Sequence, residues 1–384
     1  MQVTKGNWYQ LVEPKNDKVP LLIDDVTLSY YVGFRTKILW YFILKTDQCY
    51  TEHRIPKANG KLRLIHAPKP QIKYFLNKLR KQLLVPLCAE LGTHVVAYRA
   101  GQGARRAAEI HMQPCATCDQ LDQPHTCTYE AVTEDGKYKV VKNNPDCQAC
   151  ATLPKHECPR RGTKIKIDLK DFFNSTKPIW IRDYFQNEIG YNKNVASLLA
   201  AVMTVPIGKT GRRGVPQGAP TSGDICNLVA DARLDRPLLA LLEGSGWTYT
   251  RYADDLYFSH PNAIEYPATQ QFIKAVYEVI KKSGWRVNYQ KLEIQRPGGH
   301  QRLLGMTVNQ KVNVQRDQYM RLRTIVHRCF YDGFDVGAQI AKVEPVKMVS
   351  WLRGQINWFS AINPAKAARI DVVFQKALSR GKHV

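Results

Sequence analysis

The chain has 384 residues, 44% of them hydrophobic, and a formal net charge of +23 from 56 Lys and Arg against 33 Asp and Glu. This size excludes one ordinary domain and suits two or three subdomains around a common core. The charge predicts a polyanionic partner, nucleic acid, because each phosphate contact releases counterions. The N-terminal residues lack an apolar segment and no run of 18 apolar residues occurs, so we expect a cytoplasmic protein without membrane association.

The first part of the chain contains one clear helix and one unusual segment. Residues 71–86 predict an amphipathic helix with a basic outer face, because their apolar side chains recur at helical spacing. Residues 112–161 are rich in Cys, Pro, Asp, Asn and Thr and poor in periodic apolar residues. We therefore expect an insertion that folds around something other than a hydrophobic core.

Three β-prone runs follow this segment. Residues 163–168 (TKIKID) alternate in polarity and predict a strand that ends at an aspartate. Residues 247–252 and 256–259 are separated only by Ala253-Asp254-Asp255, which predicts a hairpin with acids at its tip. Acidic residues from two neighbouring strands of one sheet should therefore lie close together.

The remaining elements are helical. Residues 270–283 repeat apolar side chains at a spacing of 3.6 and stop at Gly284, a favourable helix C-cap. Residues 319–384 carry 11 Lys and Arg against four acids and predict a basic helical subdomain. Strands mixed with helices in this way indicate an α+β fold.

The adjacent acids point to metal chemistry. Like charges repel, so Asp254 next to Asp255 is favourable chiefly when a cation lies between them. Nucleotidyl transfer uses two Mg²⁺ ions about 4 Å apart, one to activate the attacking hydroxyl and one to neutralise the leaving pyrophosphate. Mg²⁺ prefers oxygen ligands, which a few carboxylates and the substrate phosphates can supply.

Three segments in this order, IDLKDFF, VPQGAPTSG and YADD, resemble motifs A, B and C of reverse transcriptases. The resemblance covers about residues 55–360 and implies a right-hand polymerase fold of fingers, palm and thumb. With the Cys-rich insertion, predicted to bind zinc, at 113–160, the domains in chain order are then the N-terminal region and fingers 1–112, that insertion, the palm 161–318 with a remaining fingers segment at about 178–214, and the basic helical thumb 319–384.

The resemblance assigns the catalytic residues. Asp168 and Asp254 match the two Mg²⁺-binding aspartates, and Asp255 matches the second acid of motif C, which assists less directly. Lys291 in NYQKLEI matches the motif D lysine, a candidate proton donor to pyrophosphate. The alternative for Lys291 is a solvated surface lysine.

The nucleotide-binding residues follow in the same way. Phe173 matches the steric gate that collides with a ribose 2′-hydroxyl, the alternative being core packing. Gln217 and Gly218 match the motif B turn against which nucleotide and template pack. In GKLRLIHAPKP, Arg63 and then Lys61 are candidates to grip the triphosphate, the alternative being a basic hairpin face.

Within this class the motifs are most similar to retron reverse transcriptases. Residues 107–111 (AAEIH) keep Ala108 and His111 of an NAxxH motif, and LLGMTVN keeps Gly305, Val308 and Asn309 of a second family segment. The resemblance implies that a structured noncoding RNA serves as template and primer for single-stranded DNA (msDNA) made from dNTPs, beside a toxin or effector protein in phage defence.

The same resemblance makes the basic C-terminal segment a thumb that contacts nucleic-acid phosphates. Its candidate residues are Arg321, Arg323, Arg328 and Arg353. The alternatives are another defence-associated bacterial reverse transcriptase, a zinc-containing RNA-binding scaffold with a vestigial polymerase centre, and a polymerase that adds nucleotides without a template.

Six of the ten cysteines fall in one repeated pattern, C-x2-C followed by H-x-C, over residues 115–127 and 147–158. The eight candidate ligands are Cys115, Cys118, His125, Cys127, Cys147, Cys150, His156 and Cys158. Three thiolates and one imidazole per half suit a tetrahedral structural Zn²⁺, and disulfides are disfavoured in the cytoplasm. We favour two ions, one per half. The alternatives are one ion shared by both C-x2-C pairs with a second on the remaining ligands, or unbound thiols.

Overall fold

The computed structural model describes residues 19–56, 60, 62–112, 128–132, 138–142, 162–208, 211–309 and 311–380. Its helices are α1 (Asp25–Val32), α2 (Thr36–Leu44), α3 (Pro70–Leu79), α4 (Val85–Ala89), α5 (Ala104–Ile110), α6 (Phe172–Ser175), α7 (Pro178–Tyr184), α8 (Lys193–Val202), α9 (Ser222–Ala230), α10 (Arg236–Leu242), α11 (Tyr266–Ser283), α12 (Arg316–Asp332), α13 (Phe334–Ala341), α14 (Met348–Ile362) and α15 (Pro364–Ser379). Its strands are β1 (Tyr50–Pro56), β2 (Leu62–Pro68), β3 (Thr128–Val132), β4 (Tyr138–Lys142), β5 (Lys164–Asp168), β6 (Val205–Pro206), β7 (Arg213–Gly214), β8 (Thr248–Tyr252), β9 (Asp255–Ser259), β10 (Glu293–Gln295), β11 (Arg302–Leu303), β12 (Met306–Thr307) and β13 (Asn313–Val314).

The chain divides into two compact units. The first contains Met1–Ala107, Ile165–Phe258 and Glu265–Glu293, and the second contains Ala108–Lys164, Ser259–Ile264 and Ile294–Val384. None of the described helices is long and apolar enough to cross a bilayer. The boundaries of the four sequence-based domains remain a prediction.

The centre of the first unit is a sheet in which β9 lies between β5 and β8. These strands are buried along most of their length, so side chains on both faces of the sheet contribute to the core. The predicted strand and hairpin are confirmed, with one adjustment at the tip. Asp254 lies in the turn after Ala253, whose φ is +56°, whereas Asp255 is the first residue of β9.

The helix predicted over 71–86 is confirmed as helical but is not a regular α-helix. Between α3 and α4 the chain forms a π-helical segment, Arg80–Leu84, just before Pro86. A second π segment, Asp231–Asp235, precedes Pro237 in the same way. Proline has no N–H and its ring collides with the carbonyl four residues earlier, so a wider turn relieves the clash.

The helix predicted over 270–283 is confirmed and begins earlier, at Tyr266, because Pro267 suits a first helical turn. It ends as predicted at Gly284, whose φ is +95°. A Cβ there would lie 2.5 Å from Cζ2 of Trp180, so both the backbone angle and the neighbouring ring require glycine.

The second unit contains a small sheet of order β11-β12-β13 and four helices, α12 to α15, so the basic helical subdomain is confirmed. Its core is built from apolar residues on one face of each helix, including Leu322, Phe334, Leu352 and Phe374. Within residues 113–160 the described part is a hairpin of β3 and β4, paired from Thr128↔Lys142 to Val132↔Tyr138.

Candidate active site

The sheet places two of the predicted metal ligands side by side. Asp168 is the last residue of β5 and is almost fully buried. The N–H of the next residue, Leu169, donates to the carbonyl of Asp254 at 2.8 Å. This bond fixes the hairpin turn against the end of β5, and so brings the two aspartates together as predicted.

A lysine and an asparagine bind the carboxylate of Asp168. Lys291 Nζ lies 2.7 Å from Oδ2, and Asn288 Nδ2 donates to Oδ1 at 2.9 Å. The hydrogen bond to Asp168 raises the pKa of the Lys291 amine, which therefore stays protonated. Lys291 thus contacts one of the predicted metal ligands, and its catalytic role remains a prediction.

The carboxylate of Asp255 pairs with a different lysine, Lys166 of β5. Lys166 Nζ lies 3.2 Å from Asp255 and 3.9 Å from Glu293. Burial raises the pKa of Asp255 to about 6, with Lys166 opposing and the charge of Asp254 adding to the shift. Burial, and secondarily the charge of Asp168, also raises the pKa of Asp254.

These carboxylates fit a divalent cation. The charge of Asp168 adds to the burial that raises the pKa of Asp254, so the two carboxylates repel, and a cation between them would offset that repulsion. Their oxygens are the ligands that Mg²⁺ prefers. Asp255 is already paired with Lys166, which is consistent with a less direct role.

The predicted nucleotide-binding residues line one cleft of about 850 Å³, together with an acid of the hairpin turn. They are Arg63, Phe173, Gln217 and Gly218, with Asp254. Arg63 is exposed on β2, where a guanidinium can reach phosphate oxygens. Lys61 lies outside the described residues.

The motif B turn is attached to β2. The N–H of His66 donates to the carbonyl of Gln217 at 2.8 Å. Gly218 has a φ of +122°, and a Cβ there would lie 3.0 Å from the His66 carbonyl oxygen. Glycine is therefore needed for the backbones to approach this closely.

Beneath the cleft lies a buried ionic network centred on Arg251, the residue before the YADD segment. Its guanidinium donates to Asp235 from Nε at 2.9 Å and from Nη2 at 2.7 Å, and from Nη1 to Asn227 at 2.9 Å. The side chains of Arg251 and Asp235 are both fully buried. Tyr249 completes the network by donating to Asp235 at 2.8 Å.

One group of described side chains has the composition of a metal site away from the hairpin. Potential ligand atoms of His94, Asp231 and Asp235 lie within 4.8 Å of one another. Arginines already bind both carboxylates, Arg236 to Asp231 at 3.0 Å and Arg251 to Asp235. We therefore interpret this group as an ion-pair network.

The remaining predicted residues lie in the second unit or outside the described part. Arg321, Arg323 and Arg328 on α12 and Arg353 on α14 are all exposed. The eight predicted zinc ligands, listed above, lie outside the described residues. His111 is fully buried, with Nδ1 2.7 Å from Oγ of Ser259.

Sequence reasoning missed Asn288, Lys166, Arg251 and Tyr98, the last of which lines the cleft. Lys166 could have been found, because it lies two residues before Asp168 and so on the same face of β5. The others belong to no sequence pattern and are recognised only from their contacts.

Comparisons with known proteins agree with this geometry. A family model described as "Reverse transcriptase (RNA-dependent DNA polymerase)" matches residues 55–308. The chain is 29% identical to the retron Mx65 reverse transcriptase of Myxococcus xanthus over 84% of this chain and 63% of that protein. It is 33% identical to the retron Mx162 reverse transcriptase of the same organism over 42% of this chain and 38% of that protein. It therefore spans less than two thirds of either relative's length.

Among solved structures, the telomerase from Candida albicans in complex with a TWJ fragment of telomeric RNA aligns with a TM-score of 0.43 and 11% identity. The alignment covers 86% of this chain and 63% of that one.

Changing Arg251 to Met should destabilise the first unit by about 3–5 kcal/mol, because the carboxylate of Asp235 would stay buried without its partner. The double change Arg251→Met/Asp235→Leu should recover part of this loss, since no charge then remains buried. Urea unfolding followed by circular dichroism measures both. As a control, Arg328→Ala removes an exposed pair with Asp332 and should cost less than about 1 kcal/mol. A cost for Arg251→Met no larger than this control would contradict the prediction.

Proposed function

This chain belongs to the reverse transcriptase family, and from that premise we propose that it is an RNA-directed DNA polymerase that copies a structured noncoding RNA into single-stranded DNA. The resemblance to retron reverse transcriptases predicted from the motifs is confirmed by the family match and by the retron relatives. The predicted α+β fold of the right-hand polymerase class is confirmed with it. The observation that carries the proposal is the backbone hydrogen bond from Leu169 to Asp254, which places the end of β5, at Asp168, against an acid that lines the cleft.

The family implies dependence on a divalent metal, and the carboxylates named above are the residues that would hold Mg²⁺. When bound, Mg²⁺ activates a hydroxyl nucleophile and neutralises triphosphate charge. Arg63 binds the triphosphate of the incoming nucleotide, and Gln217 with Gly218 supports its base and sugar. Phe173 lines the same cleft, and in this proposal its ring excludes a ribose 2′-hydroxyl.

Lys291 supplies a proton. Its ammonium group is bonded to Asp168, one of the proposed metal ligands, which holds it beside the reacting phosphates. That bond raises the pKa of Lys291, so the amine carries its proton at neutral pH. A positioned general acid of this kind contributes to the departure of the leaving group.

The partners in this proposal are the noncoding RNA, its DNA copy (msDNA), dNTPs and an effector protein of a phage-defence system. The net charge of +23 supports a nucleic-acid partner. The four exposed arginines of the helical subdomain support its role as the thumb that contacts phosphates. The effector and the defence role rest on the resemblance to retrons.

Changing Asp254 to Asn should abolish DNA synthesis, because the metal loses a charged ligand while the hairpin keeps its shape. The assay measures dNTP incorporation on an RNA template annealed to a DNA primer, with Mg²⁺. Glu278→Gln, the same neutralisation at an exposed position of α11, should leave the rate unchanged. RNA binding without any extension by the unchanged protein would favour the RNA-binding scaffold, and extension without a template would favour a terminal transferase.

Mg²⁺ should raise the melting temperature, and more at pH 7.5 than at pH 5.5. The pKa of Asp255 is raised to about 6, chiefly by burial, so this acid is charged at pH 7.5 and repels Asp254, whose pKa is also raised. At pH 5.5 a proton neutralises most of Asp255 and leaves less repulsion for the cation to offset. Differential scanning fluorimetry measures the shift, and Asp254→Asn/Asp255→Asn should remove its pH dependence. An equal shift at both pH values would place the bound Mg²⁺ elsewhere.

We further propose that residues 113–160 bind structural zinc. The β3–β4 hairpin lies between the two Cys/His halves, and its open end is at Thr128 and Lys142. These residues follow Cys127 by one position and precede Cys147 by five. A segment so poor in apolar residues can obtain its folding free energy from the metal.

The purified chain should contain two zinc ions, measured by inductively coupled plasma mass spectrometry. Cys115→Ser/Cys118→Ser should remove one ion if each half binds its own. Cys329→Ser, at a buried cysteine of α12, should leave the content at two. Changing Cys147 and Cys150 to Ser in addition should remove both ions if each half binds its own, whereas one remaining ion would show that both C-x2-C pairs share a site. No zinc at all in the unchanged chain would reject the proposal.

A further inference from the structure

Tyr98 is a half-exposed aromatic residue in the cleft that no motif of the sequence includes. Its side chain is 49% exposed, and it lines the same cleft as Phe173 and Asp254. Its φ is +59°, a left-handed conformation that is rare for a bulky residue. Such strain persists only where the surrounding structure imposes it, and it concentrates at functional sites.

The ring of Tyr98 packs against the ring of Phe173. The centroids are 6.0 Å apart at an interplanar angle of 69°, an edge-to-face contact. On its other side Phe173 contacts Phe172 at 5.5 Å, and Phe172 is buried against Trp285 at 5.7 Å. Phe173 therefore packs both against Phe172, which is buried beside Trp285, and against Tyr98. Of these four rings, that of Tyr98 is the most exposed.

The backbone leading to Tyr98 is fixed by the buried network. The N–H of Arg251 donates to the His94 carbonyl at 2.7 Å, and the Val96 N–H donates to the Arg251 carbonyl at 3.1 Å. Asn227 Nδ2 donates to the carbonyl of Ala97, directly before Tyr98, at 2.8 Å. The position of this ring is thus determined by the same residues that support the YADD hairpin.

Motif B leaves space for the ring. A Cβ added to Gly223 would lie 2.6 Å from Cγ and 2.8 Å from Cδ2 of Tyr98, and these are its nearest neighbours. Gly223 is in the first turn of α9, where any other residue could adopt the backbone. The requirement for glycine therefore comes from the tyrosine ring, which lies between motif A and motif B.

We propose that Tyr98 is a positioning residue for sugar selection: its ring holds Phe173 in the orientation that excludes a ribose 2′-hydroxyl. This inference rests on the proposed function. Without Tyr98, Phe173 can turn into the vacated space, and the sugar pocket then accepts ribonucleotides more readily. Loss of one aromatic contact predicts a change of about three- to tenfold.

The test is single-nucleotide incorporation on an RNA template with a DNA primer, comparing kcat/KM for a dNTP and the matching rNTP. Tyr98→Ala should lower the ratio of kcat/KM for the dNTP to kcat/KM for the rNTP by about three- to tenfold. The change should come chiefly from a lower KM for the rNTP. Tyr98→Phe keeps the ring and should stay within about twofold of the unchanged protein. Tyr30→Ala, an 86% exposed tyrosine of α1, is the matched control and should not change the ratio.

Gly223→Ala tests the ring position without removing the ring. It should lower the ratio as Tyr98→Ala does, because the new methyl group displaces the tyrosine. In the double variant Gly223→Ala/Tyr98→Ala the two ring carbons are gone and only the Cβ of residue 98 stays near the new methyl group, at 3.0 Å, so the alanine at 223 should add little further effect. If Tyr98→Ala fails to fold, the ratio measured for Gly223→Ala decides in its place.

The outcomes separate the two proposals. No incorporation by the unchanged protein would overturn the proposed function and this inference with it. This inference alone would be overturned if the folded Tyr98→Ala variant incorporates nucleotides normally and its dNTP-to-rNTP ratio and its KM values are unchanged. If Tyr98→Ala does not fold, the same result for Gly223→Ala would overturn it.

Discussion

The buried ion pair between Arg251 and Asp235 is the interaction on which the candidate site depends. A guanidinium is tolerated in a protein interior only where its donors are satisfied, and here one carboxylate and one amide accept from all three of its nitrogens. The backbone of Arg251 at the same time binds the segment before Tyr98. One residue therefore joins the hairpin, the helix of motif B and a wall of the cleft.

Asp168, Asp254 and Asp255 at the end of the sheet are subject to a different constraint, the electrostatic repulsion among three neighbouring carboxylates. Two lysines relieve part of that repulsion, Lys291 at Asp168 and Lys166 at Asp255. Burial, and secondarily the charge of Asp168, raises the pKa of Asp254, which lines the cleft. A cation bound there would offset part of this repulsion.

Much of this arrangement could be predicted from the sequence. The strand ending at Asp168, the acid-tipped hairpin and the helix ending at Gly284 follow from local periodicity and turn chemistry, which are properties of neighbouring residues. The roles of Arg251 and Tyr98 could not be found, because each depends on contacts with residues far away in the chain. The sequence of one chain does not show which distant residues are in contact. Lys166 is the intermediate case, since strand alternation places it on the face of Asp168.

The π-helical segments limit how this chain can change in length. Each residue added to or removed from an α-helix rotates everything beyond it by about 100°. The π-helical turn over Asp231–Asp235 accommodates one extra residue before Pro237. It thereby determines the direction of the two acids, so that Asp231 contacts His94 and Asp235 contacts Arg251. Removing one residue there would turn the acids away from the arginine. Across relatives, these helices should therefore vary in composition more readily than in length.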